Sequence, residues 1–154
     1  MYENYKERAQ FFATLPLEYK PSRRKNPNPP VLNFGIPICL DSLMEYAVWA
    51  GELTPADLAS DSLCPIVPYS AVEVLSEVCA CKLRLVAPKI PTSKCEAIIS
   101  LYSNYDYKGK QLVEKDEQNV LDMIRAELEL EDDVQAAWYF DSRDPWIPKR
   151  IMTR

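Results

Sequence analysis

The sequence predicts an α+β fold, a single compact domain with helices mainly in the first half and a small sheet with a β-α-β crossover in the second half. Three observations point there. At 154 residues, 47% hydrophobic and 27% charged, the chain can bury one core but is short for two. Helical apolar stripes with capping signals crowd residues 42–80. Short alternating or apolar segments follow, two of them flanking a strongly amphipathic helix.

Taken in order, residues 2–15 are expected as a helix, because Tyr5, Ala9 and Phe12 share one face and Pro16 ends it. Six prolines lie between Pro16 and Pro37, so residues 16–37 are expected as an extended, Pro-rich basic arm. Its apolar end, Val31 to Leu40, is broken by Gly35 and Pro37 and reads as an irregular edge strand or a buried extended segment. Ser42 with Glu45 forms a capping box before a helical face of Leu43, Tyr46, Ala47 and Ala50, closed by Gly51. Thr54 and Pro55 signal a short helix over 55–60, and Cys64 to Tyr69 a loop. Ser70 with Glu73 opens a helix over 71–80, with Val72, Leu75, Val78 and Cys79 as its stripe. A strand over 82–86 should turn Leu83 and Leu85 inward. A second, 96–103, aligns Ala97, Ile99 and Leu101. The helix from Asp116 to about Glu129 buries Val120, Leu121, Ile124 and Leu128. Residues 136–140 make the last strand, expected parallel to 96–103.

Composition excludes several chemistries. Three glycines, Gly35, Gly51 and Gly109, form neither a dinucleotide fingerprint nor a phosphate-cradling loop. With no histidine, His-based triads, Cys-His dyads and His metal sites are absent. Cys39, Cys64, Cys79, Cys81 and Cys95 are odd in number and irregularly spaced, which fits free thiols in a reducing cytosol. Cys79 and Cys81 lack the spacing and the further ligands of a metal site, so neither a metal nor another cofactor is expected. The charged amino terminus and the lack of a spanning apolar run predict a cytoplasmic protein with no membrane partner.

The net charge of −5 conceals a polarity. Residues 1–25 sum to +3, residues 26–81 hold seven acids and no base, and the remainder sums to −1. The base-free stretch supplies core and wears acids on its wet side. It also suits docking of a basic partner or of the chain's own arm. Glu129 to Asp133 are expected in a solvated loop beyond the helix, since carboxylates at a helix carboxyl end oppose its dipole.

Three candidate binding groups stand out. Tyr102, Tyr105, Tyr107, Lys108 and Lys110 cluster at the carboxyl end of a predicted strand, where aromatics and lysines could stack on a ring or hold an anion. Arg23, Arg24 and Lys25 give the arm a basic run, although a pI near 4.9 argues against a nucleic-acid partner. Trp146, between prolines, either staples the tail or anchors a partner. The function this favours is a small intracellular non-enzymatic interaction protein, binding a protein partner through residues 26–81 or the Tyr-rich loop 102–110. The composition is also compatible with self-association. The alternative is a His-independent enzyme or ligand-binding protein that uses carboxylates and tyrosines at the strand ends; no spacing selects a catalytic residue.

Overall fold

A computed structural model describes residues 11–52, 54, 56, 66–89, 91–92, 94–110 and 112–144. The strands are β1 (Phe11–Phe12), β2 (Leu32–Ile38), β3 (Arg84–Val86), β4 (Ala97–Ser103) and β5 (Ala137–Phe140); the helices are α1 (Leu40–Trp49), α2 (Val67–Cys79), α3 (Tyr107–Lys110) and α4 (Glu114–Glu127). They build the α+β fold read from the sequence, with one sheet in the order β1-β5-β2-β4-β3 and every neighbouring pair antiparallel. The chain does pass from β4 through α4 to β5. These two strands run the same way because each is antiparallel to β2. They are not hydrogen-bonded partners, as the sequence had suggested, because β2 lies between them.

β2 is thus the centre of the sheet rather than an edge. Its side chains alternate: Leu32, Phe34, Ile36 and Ile38 join Ile99, Trp138 and Phe140 in the main core. Two features that argue against a central strand are accommodated locally. Ile38 directs its carbonyl to the Glu96 N–H, so Pro37, one residue earlier, turns its nitrogen to the opposite side, where pairing with β5 has already stopped at Gly35. Gly35 sits at a bulge against β4, where an added methyl group would lie 2.8 Å from Ser100 Cα and closer still to the Ile99 carbonyl. Only glycine fits there.

The helices cover that face of the sheet through the stripes expected of them. Leu43, Tyr46 and Ala47 of α1, Val72, Leu75 and Cys79 of α2, and Val120, Leu121 and Ile124 of α4 are buried. The exceptions are Val78, 41% exposed, and Ala50, which lies half-buried just past the end of α1. On the other face, Val86, Cys95, Ile98, Ala137 and Tyr139 form a smaller cluster. The segment after β3 reaches the end of β5, where the Lys89 N–H bonds the Phe140 carbonyl and the Ser142 N–H bonds that of Ala87.

The amino-terminal reading needs correction. Phe11 and Phe12 do not end a helix; they pair with Tyr139 and Trp138 as an edge strand, and Leu17–Tyr19 is a single 3-10 turn. Backbone pairing with β5 requires extended residues there, and the packing of Phe12 on Phe140 and Tyr19 supports that strand. Residues 1–10, the short helix over 55–60 apart from Ala56, Cys64, and the tail carrying Trp146 lie outside the described residues. Among those described, no helix is long and apolar enough to cross a membrane.

Candidate functional site

The Tyr-rich segment is largely an internal support. Tyr102 is buried and stacks on Phe34 at 5.3 Å and 12°, with Trp138 tilted beside both. Tyr107 meets Trp138 edge-on. Tyr105 is half exposed, but its hydroxyl donates to the Pro29 carbonyl. Asp106 organises the turn: one oxygen accepts the Ser103 N–H at 2.6 Å, and the other pairs with Lys110 at 3.2 Å and Arg84 at 3.7 Å. Burial pushes this carboxyl upward, yet the hydrogen bonds from Ser103 and Lys110 and the two cations hold it below the ordinary aspartate value. Of the five residues grouped from the sequence, only Tyr105 and the exposed Lys108 present a surface without a ring stack or ion pair.

The basic arm is fixed by neutral hydrogen bonds. Ser22 and Asn26 exchange backbone bonds across a tight turn that leaves Arg23, Arg24 and Lys25 exposed at its tip. The Asn26 side chain donates to the carbonyls of Glu18 and Lys20. Asn104, 1% exposed, donates to the carbonyls of Tyr19 and Pro30 and accepts the Leu32 N–H at 3.0 Å. Among the described residues, no ion pair joins the arm to the acids of 26–81.

Sequence reasoning missed Asn104 as an anchor, and also Asn33 and Asp141. Asp141, 3% exposed, accepts from the Asn33 side chain at 2.9 Å and pairs with Arg143. Its burial is outweighed by these partners, so its carboxyl also lies below the ordinary value. No periodicity marks such groups; a polar residue in an apolar strand, as Asn33 is, was the available signal.

Burial disfavours the thiolate at three cysteines. Burial pushes Cys79 up to about 11 and Cys95 up to about 12, and Cys81 also rises through burial. Among the described residues, no cluster of three ligand side chains could hold a metal.

A different place brings chemistry together. The carboxyl-terminal ends of α1 and α4 border a cleft of about 220 Å³, lined among others by Glu45, Tyr46, Trp49, Glu127 and Glu129. Helical spacing sets Glu45, Tyr46 and Trp49 on adjoining parts of α1. Tyr46 is buried and its hydroxyl donates to Glu127 at 3.1 Å. Burial and then this carboxylate raise the phenol to about 12. Trp49 stacks on Tyr46 at 5.7 Å and 26° while 74% exposed, so one indole face rests on tyrosine and the other meets water. Three carboxylates and no described base line the cleft, an environment that resists forming an anion and favours a cation.

Comparison with family models, curated proteins and solved structures finds no match for the chain. The functional reading therefore stands on these side chains.

Proposed function

We propose that this is a non-enzymatic interaction protein that docks a basic protein partner on the acidic, base-free segment carried by α1 and α2. One observation supports the reading above others. Asp41, Glu45, Glu52, Glu73 and Glu77, the described acids of residues 26–81, are all exposed, and none has an ion-pair partner among the described residues. Among the described residues, the acids seen in ion pairs, Asp106, Asp122 and Asp141, all lie outside this segment. A surface of one sign attracts an oppositely charged partner and speeds its encounter. The raised Cys79, Cys81 and Cys95 thiols and the raised Tyr46 phenol favour binding over nucleophilic catalysis at those groups, because a nucleophile needs its anion made accessible.

The test is co-purification from lysate of the source cells with the wild-type chain and with a Glu45→Lys/Glu73→Lys/Glu77→Lys variant. A stoichiometric basic protein should accompany the wild type, be released by salt and be lost from the variant. Equal recovery by both, or no stoichiometric protein, overturns the proposal.

A further inference from the structure

The cleft between α1 and α4 has a chemistry narrower than a general preference for basic partners. Two helices end at it: Trp49 is the last residue of α1 and Glu127 the last of α4. Helix carboxyl ends carry partial negative charge, which adds to Glu45, Glu127 and Glu129. α1 has no basic residue in its last turn to offset this, and Arg125 of α4 is engaged elsewhere, with Asp122 and the Val134 carbonyl. Trp49, stacked on Tyr46 and largely exposed, lines the same cleft.

We infer that this cleft seats an arginine side chain of the partner, its guanidinium lying on the open face of Trp49 and its N–H fork directed at the carboxylates of Glu45 and Glu127. The inference rests on the acidic-surface reading and narrows it to one residue type. A guanidinium is planar, stacks on indole and offers donors in a fork that matches carboxylates, whereas an ammonium is a compact, strongly hydrated point charge. The volume suits one side chain rather than a folded segment. Tyr46 backs the indole and Glu127 holds the Tyr46 hydroxyl, so the aromatic platform is set before a ligand arrives.

Calorimetric titration with nona-arginine and nona-lysine peptides, equal in charge, tests this at about 50 mM salt, where screening is weak. Nona-arginine should bind about tenfold more tightly than nona-lysine, a preference of cation-π size. Trp49→Ala should remove the preference without lowering the melting temperature, since the side chain is mostly exposed, and Trp49→Phe should retain part of it. Equal binding of the two peptides, or an unchanged preference in Trp49→Ala, overturns the arginine seat while leaving the acidic surface in place. If neither peptide binds the wild type, both readings fall.

Discussion

Asn104 shows how one buried polar side chain fixes a segment that its composition leaves open. Residues 16–30 are rich in proline and bases, and from the sequence the acids of 26–81 were a natural counterpart for them. In the fold the arm is attached instead through amide groups. Asn104 holds the carbonyls of Tyr19 and Pro30 and the Leu32 N–H, while Tyr105 holds the Pro29 carbonyl. Such bonds, largely out of water, respond little to ionic strength. Proteolysis near Arg24 should therefore be insensitive to salt. Asn104→Ala should accelerate it several-fold and lower stability to urea unfolding by about 3 kcal/mol, because it removes three hydrogen bonds and strands buried partners. Acceleration by salt in the wild type would restore the ionic account. In the segment Tyr102 to Lys110, Tyr102, Ser103 and Asn104 face inward, whereas Tyr105, Lys108 and Lys110 are exposed. Sequence order conveys which side chains are near one another along the chain, and not that Phe34 and Trp138 would arrive to occupy Tyr102.

Among elements, the apolar stripes were legible and the ends were not. Val120, Leu121, Ile124 and Leu128 are buried as their spacing implied, and the acids after Leu128 lie in an exposed loop. The capping boxes at Ser42 and Ser70 misplaced two starts, since α1 begins at Leu40 and α2 at Val67, with Pro68 in its first turn. Proline has the right φ for that place and lacks the N–H that would go unused, so the helix extends back to it. Scarce glycine leaves its mark on the other ends. α1 closes with Gly51 at φ 81°, but α2 closes with Ala80 at φ 50° and α4 with Glu129 at φ 52°. In each, two residues reach back to the last turn, as in the Cys81 N–H to Ser76 and the Leu130 N–H to Arg125 bonds. A side chain in this left-handed conformation costs about 1 kcal/mol relative to glycine. Ala80→Gly and Glu129→Gly should each stabilise the protein by about that amount in urea unfolding, additively, since they cap different helices. A loss of stability in both would mean that these ends are set by contacts other than the turn.

For the whole molecule, the sheet depends on β2 receiving partners from distant parts of the chain. Asn33 pairs with Ser103 on one side and with Tyr139 on the other. Local alternation placed strands near 96–103 and 136–140, yet no local signal could place β2 between them, because the Leu32–Ile38 segment carries proline and glycine and because registry is decided by long-range packing. The candidate cleft was half legible for the same reason. The base-free run contributes Glu45, Tyr46 and Trp49, whereas Glu127 and Glu129 come from the end of α4 and the turn after it, more than seventy residues away. β5 is the last described strand to be synthesised, and it bridges β1 and β2. It places Trp138 and Phe140 in the main core and Ala137 and Tyr139 in the smaller one. A chain stopped after Gln135 loses both sets of contacts and leaves β1 without its partner. Burial of each large side chain contributes about 2 kcal/mol, and a domain this size holds only about 5 to 15 kcal/mol in total. The truncated chain should therefore lack a cooperative thermal transition and near-ultraviolet dichroism, while keeping part of its helical signal from α1, α2 and α4. A sharp melt in that fragment would show that the three helices and the remaining strands fold without the crossover strand, contrary to the topology.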